Sequence, residues 1–147
     1  MKGATIEIMG CENEEKTVLC DGKEYNFTEN TVRIEPEIPH LWSCDDPYLY
    51  DITIKTKDDE VRSYFGLREV KFDGMQFLLN GKSVFQRFVL DQGYYKDGVY
   101  TPKSEEVFKN DIQSAMALGF NGIRLHQKVF DPKYLYYCGK EIVIKDI

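Results

Sequence analysis

Arg124 is the side chain best suited to chemistry in this sequence. A guanidinium can hold a carboxylate ionised and oriented through two parallel N–H···O bonds. Arg124 stands near the end of the run Phe120-Asn121-Gly122-Ile123-Arg124-Leu125, which reads as a strand. His126 follows two residues later, on the same side if the strand continues, where an imidazole could bond a hydroxyl or a neighbouring carboxylate. Asp91 closes an earlier run, Phe85 to Leu90, and with Gln92, Tyr94 and Tyr95 makes a second polar group. Each has a plainer alternative: an interface ion pair for Arg124, a structural hydrogen bond for His126, loop packing for the tyrosines.

Positioning these groups requires strands and helices in a particular order. Phe85 to Leu90, broken only by Gln86 and Arg87, resembles a buried parallel strand. A loop rich in Gly and Tyr follows from Asp91 to Pro102. Ser104 then opens a helix, its hydroxyl suited to capping and Glu105 and Glu106 to the positive first turn. Val107, Phe108, Ile112, Ala115, Met116 and Ala117 lie close to helical spacing, and Gly119 is a natural stop. Asp131-Pro132 starts a second helix running through Tyr134 to about Cys138, with Gly139 closing it. Ile142-Val143-Ile144 could begin a third strand. Strand, helix, strand, helix, strand is the punctuation of a parallel α/β fold. So few units cannot close an eight-unit barrel of about 250 residues, whose active sites form at the carboxyl ends of the strands. This half therefore reads as the start of a larger barrel.

The first 70 residues read differently. Thr5 to Ile8, Thr17 to Cys20, Thr31 to Glu35, Tyr48 to Lys57 and Glu60 to Phe65 are short runs with alternation, and Asp21-Gly22 and Asp58-Asp59 mark turns. Strands at roughly ten-residue spacing suggest an antiparallel sandwich. Asn80-Gly81, between Gln76–Leu79 and Ser83–Phe85, is the strongest hairpin signal, because both turn positions need positive φ.

Composition narrows the function. With 42% hydrophobic and 14% aromatic residues in 147, a core can be buried. A formal net charge of -6 argues against nucleic-acid or anionic-membrane partners, which need a basic face. No apolar run approaches the roughly 18 residues of a membrane span, and Met1 to Gly10 lacks the apolar stretch of a signal peptide. A cytoplasmic location with free thiols is the expectation for Cys11, Cys20, Cys44 and Cys138, a Cys11–Cys20 bridge being the alternative. No C-x-x-C pair is present, so a zinc site is not expected. Ten tyrosines and one tryptophan, Trp42, could line a sugar site or simply fill core positions.

Four segments together resemble glycoside hydrolase family 2. Pro39-His40-Leu41-Trp42-Ser43-Cys44-Asp45-Asp46-Pro47-Tyr48-Leu49-Tyr50 is similar to the family's P-x-L-W-x-x-x-x-P-x-L-Y; Phe65-Gly66-Leu67-Arg68-Glu69-Val70 to F-G-[FI]-R-x-[VI]; Phe77 to Val84 to F-x-L-N-G-x-x-[VI]; and Gly119 to Arg124 to G-x-N-x-[VI]-R. The resemblance covers about residues 39 to 126. It implies a mixed fold: an immunoglobulin-like β-sandwich over residues 1–70, followed over 71–147 by an incomplete (β/α)8 TIM-barrel segment. It also implies a retaining β-glycosidase acting on galactosides, glucuronides or mannosides, with the matching arginine, Arg124, close to the nucleophile. In the non-catalytic module Trp42 reads as core packing, and Arg68 as a junction residue paired with a carboxylate or carbonyls.

Departures matter as much. The family's R-x-S-H stands here as Arg124-Leu125-His126-Gln127, so Gln127 occupies the usual histidine place. Arg87-Phe88 replaces the family's Arg-Gly, and Gly139 to Ile144 departs from D-K-x-G-x-x-V-W. Retaining hydrolysis needs two carboxyl groups about 5 Å apart, supplied in the family by glutamates ending the fourth and seventh barrel strands. No Asn-Glu pair lies beyond Arg124, so the chain alone is expected to be inactive, with no catalytic residue of its own. Arg124, His126, Asp91, Gln127 and Tyr94 are the expected substrate contacts within a complete barrel. No metal or cofactor is required by the chemistry, although some family members bind magnesium or sodium. The competing reading is a non-catalytic carbohydrate- or protein-binding sandwich that forms a homo-oligomer, since an unfinished barrel exposes strand edges.

Overall fold

The computed structural model describes residues 2–141, so the strand expected at Ile142–Ile144 lies outside the described residues. The chain divides into two compact units: Met1–Trp42 with Leu49–Glu69, and Ser43–Tyr48 with Val70–Ile147.

The first unit is antiparallel. β1 (Ala4–Glu7) pairs with β4 (Thr31–Ile34), while β2 (Lys16–Cys20), β3 (Lys23–Phe27), β5 (Tyr50–Lys55) and β6 (Glu60–Phe65) form a sheet in the order β3-β2-β5-β6. Asp21 and Gly22 take φ of 50° and 74°, the two left-handed positions of a tight hairpin closed by Cys20 and Lys23. β3 alternates only at Tyr25 and Phe27, half-buried either side of exposed Asn26, too short a pattern to be singled out beyond the turn that precedes it. Pairing of Cys20 with Ile52 and of Val18 with Ile54 puts these apolar side chains on one face. Tyr50 stacks on Phe65 there, centroids 5.0 Å apart. Cys11 and Cys20 are both free thiols, so the bridge alternative fails.

Lys16 shares that buried face. Its ammonium donates to the carbonyls of Cys11 (2.5 Å), Glu14 (3.0 Å) and Thr28 (3.2 Å), so each ammonium proton has a partner. Lys16→Met keeps the length but strands those carbonyls. It is expected to lower stability by about 2–3 kcal/mol, read as a lower urea midpoint; an unchanged midpoint would show that the charge is dispensable.

Trp42 is fully buried. Its N–H donates to the Leu67 carbonyl at 2.8 Å, and its side chain lies beneath Gly66, where a Cβ would stand 3.6 Å from it. Arg68 places its guanidinium carbon 4.8 Å from the Trp42 ring centroid. Arg68, for which a carboxylate or carbonyl partner was expected, stacks on the tryptophan, a cation–π contact that the planar guanidinium favours.

In the second unit β7 (Val70–Asp73), β8 (Gln76–Leu79) and β9 (Lys82–Ser83) form a meander. Asn80 and Gly81, at φ 52° and 77°, make the expected turn. β10 (Phe88–Asp91), α1 (Glu105–Ala117) and β11 (Gly122–Leu125) make a strand–helix–strand unit whose strands pair in parallel, and α2 (Pro132–Glu141) follows. Ser104 is the N-cap of α1, but its hydroxyl makes no capping bond. The other end is closed by a two-bond motif: Phe120 N–H to the Ala115 carbonyl at 3.1 Å and Gly119 N–H to Met116 at 2.8 Å, with Gly119 at φ 86°. α2 starts as expected, with the Asp131 carboxylate accepting from Lys133 N–H at 2.8 Å. It continues through Gly139 to Glu141, since Gly inside a helix is merely unfavourable, not forbidden. Phe108, Ile112, Ile123, Phe130, Tyr134 and Cys138 form the core of this unit.

Candidate active-site edge

The parallel pairing brings the carboxyl ends of β10 and β11, and the loops that follow them, to one edge. Val89, Ile123 and Leu125 pack toward the helices. Strand alternation therefore assigns Phe88, Leu90, Gly122 and Arg124 to the opposite face, where Phe88 faces Gly122 and Leu90 faces Arg124. Gly122 is required there, because an added Cβ would stand 2.1 Å from the Phe88 ring. Arg124 is exposed on that face.

Asn121, which the sequence reading treated only as part of a motif, fixes the register. Its side chain accepts from Arg87 N–H at 2.8 Å and donates to the Phe85 carbonyl at 2.9 Å, while its N–H donates to the Arg87 carbonyl at 3.0 Å. An amide side chain serves both needs, which a carboxylate or hydroxyl could not do in the same way.

Asp91 lies on the helix side. Its carboxylate accepts from Gly93 N–H at 2.6 Å and from the Tyr134 hydroxyl at 2.9 Å, and its carbonyl accepts from His126 N–H at 2.9 Å. One residue thus ties both loops and α2. Tyr134 was not singled out from the sequence, yet it carried a signal: a tyrosine on the apolar side of a helix must find a polar partner when buried. Burial, and then the charge of Asp91, push the Tyr134 hydroxyl well above the ordinary range. The same two causes push the Cys138 thiol from 9.0 up to about 12, and the Tyr95 hydroxyl from 10.0 up to about 12. Burial followed by Asp91 also raises the Asp111 carboxyl.

These shifts set an alkaline limit. A raised native pKa means that the folded state holds its proton after the unfolded state has released it, so stability falls as pH rises. The loss is expected to begin near pH 9.0, where an unfolded thiol ionises, and to continue to about 12. Cys138→Ala should reduce the loss, while burial of Cys20, whose thiol is raised from 9.0 to about 11, keeps a smaller share with the same onset. Urea midpoints measured across that range check this, and a flat profile would contradict it.

The remaining groups lie in the loops. His126 is half-buried; Gln127 is exposed at φ 59°, which takes the chain out of strand geometry immediately after His126. Tyr94 is exposed and lies against Tyr100, hydroxyls 3.3 Å apart. Arg124, His126, Asp91, Gln127 and Tyr94 therefore share one edge, but Arg124 and the Asp91 carboxylate belong to opposite faces of the strand pair. Lys128 was missed. Its ammonium donates to the carbonyls of Gly93 at 2.7 Å and Tyr100 at 3.1 Å, joining the loops. Nothing in its spacing announces this, since the bond spans loops about thirty residues apart. Among the described residues no group of three or more His, Cys, Asp or Glu is placed to hold a metal ion, and no helix is long and apolar enough to cross a membrane.

Several known proteins are similar to this chain. Residues 2–68 match the model of glycosyl hydrolases family 2. A β-galactosidase of Staphylococcus xylosus is 27% identical over 124 residues, covering 84% of this chain but 12% of that protein. One from Lactococcus lactis is also 27% identical, over 68% of the chain and 10% of its own length. The chain thus spans about an eighth or less of these relatives. A β-D-glucuronidase structure from Dictyoglomus thermophilum superposes with a TM-score of 0.79 at 21% identity, over 99% of this chain and 28% of that one. A β-glycosidase from Bacteroides vulgatus gives 0.78 at 18%, over 98% and 23%. At these identities the structures speak for the β-rich fold alone. The family match over residues 2–68, the β-galactosidase relatives and that shared fold agree: the chain is similar to the glycosyl hydrolases of family 2.

Proposed function

We propose that this chain is the junction segment of a retaining β-glycosidase: an immunoglobulin-like sandwich over 1–70 and the first strands of a (β/α)8 barrel over 71–147. The observation that carries this is the parallel β10–α1–β11 unit, with Arg124 near the carboxyl end of β11 on the face turned away from the helices. In a closed barrel that face is the interior, and its carboxyl end is where substrates react. Arg124 would hold the nucleophilic carboxylate ionised, with His126, Gln127 and Tyr94 as sugar contacts from the loops. Asp91 enters through its hold on Gly93, Tyr134 and the backbone of His126. The two reacting carboxyl groups would come from the rest of the barrel. The sugar belongs to the classes that the related proteins' names give, galactosides and glucuronides. The comparisons do not favour a non-catalytic binding module.

The test is stereochemical. The complete protein carrying this chain, given an aryl β-glycoside, should release the β-anomer first, as seen by proton NMR before mutarotation. A double displacement gives that result. Initial release of the α-anomer would overturn the mechanism.

A further inference from the structure

The loop between β10 and α1 is folded around one ammonium group. Besides its two carbonyl partners, Lys128 Nζ lies 5.7, 5.2 and 5.0 Å from the ring centroids of Tyr95, Tyr100 and Phe130. Gly93 stands at φ 62°, with the Phe130 ring 2.8 Å and that nitrogen 2.7 Å from where a Cβ would stand, so the backbone conformation and the ring favour glycine where the loop closes on the lysine. Beyond it, Tyr95 and Val99 exchange backbone bonds of 2.8 and 2.9 Å, and Val99 is held at φ 54°. A β-branched residue avoids that region and stays there only when its surroundings dictate it. The outcome of this confinement is a pair of rings kept in solvent. Tyr94 and Tyr100 are 62% and 59% exposed, with centroids 5.1 Å apart and planes tilted by 41°.

We propose that Tyr94 and Tyr100 form a stacking platform for the leaving-group ring of a β-glycoside, pyranose or aryl, with Lys128 as its positioning residue. This rests on the reading of the chain as part of a β-glycosidase. Both kinds of ring offer a flat apolar face, which an aromatic side chain covers well. The phenolic hydroxyls, bonded to each other at 3.3 Å, keep further capacity to meet polar groups at the ring's edge. Lys128 fixes the Tyr100 backbone and ring together, so the platform is set before a ligand arrives and little side-chain freedom is lost on binding.

Three probes that share a galactose ring test this on the 147-residue chain with labelled tyrosines: phenyl β-D-galactoside, lactose and methyl β-D-galactoside. Phenyl galactoside, lactose or both should shift the Tyr94 and Tyr100 ring signals, and which of them does so tells aryl from pyranose. Methyl galactoside should leave the rings in place. Tyr94→Ala with Tyr100→Ala should weaken binding about tenfold, the scale of one lost aromatic stack. Lys128→Met should weaken it while keeping the amide spectrum of the folded chain. Rings unmoved by both ring-bearing probes, equal binding by the double variant, or equal shifts with methyl galactoside would overturn the platform. Silent rings together with turnover by the complete protein would remove the platform alone. Shifted rings without turnover would support the platform and remove the glycosidase reading.

Discussion

Arg124→Ala in the complete protein is expected to lower kcat/KM for an aryl β-glycoside about a hundredfold, the scale of removing one preorganised charge partner at a reacting centre. The strand pair predicts that folding survives, because Arg124 is exposed on the face opposite Ile123 and the helices. Arg124→Lys keeps the charge but loses the two-pronged geometry, and should recover only a small part of the activity. The pH profile separates this role from a structural one. A guanidinium that holds a carboxylate ionised depresses its pKa, so the acidic limb of kcat/KM should move to higher pH in Arg124→Ala. Kinetics within twofold of the parent and an unmoved limb would make Arg124 a structural ion pair.

Trp42→Ala should cost the first unit about 3–5 kcal/mol, the usual penalty for emptying a large aromatic site. Trp42 is 1% exposed, and its ring also supports Arg68. Trp42→Phe should cost less, since it keeps part of the volume and a weaker surface for the guanidinium. Urea unfolding of the chain reads both. A loss below about 1 kcal/mol for Trp42→Ala would mean that the site collapses around the gap or that the tryptophan serves something other than packing.

Much of the architecture was legible because local chemistry and tertiary structure agree. Asn80-Gly81 needed two positive φ values and has them; Gly119 was read as a stop and ends α1 with both bonds of its closing motif. The parallel pairing of β10 and β11 was legible from strand–helix–strand order. β3 was harder, because Lys23-Glu24-Tyr25-Asn26-Phe27 alternates at only two positions, Tyr25 and Phe27, and pairing with β2 completes the strand. The end of α2 was misread at Gly139, where packing overrides a local propensity.

The site edge was legible to a lesser depth. Spacing placed Arg124 near the end of a strand, and the alternation of Ile123 and Leu125 against the helices gives its face. The faces of Asp91 and Leu90 follow from the register, which a sequence does not state. Tyr100 and Lys128 act through contacts between segments far apart in the chain, so no local pattern marks them, and Tyr134 showed its place on an apolar helix side but not its partner. The most informative irregularities, Gly93 pressed on Lys128 and Val99 in a left-handed conformation, are visible only in three dimensions.

The account rests on the absence of a reacting acid pair from this segment, and that can be measured directly. The purified 147-residue chain and the complete protein that carries it should be assayed side by side on nitrophenyl β-glycosides. The account predicts turnover by the complete protein and none by the chain above the buffer rate. Turnover by the chain alone, lost in a mutant of one of its own carboxylates, would contradict it.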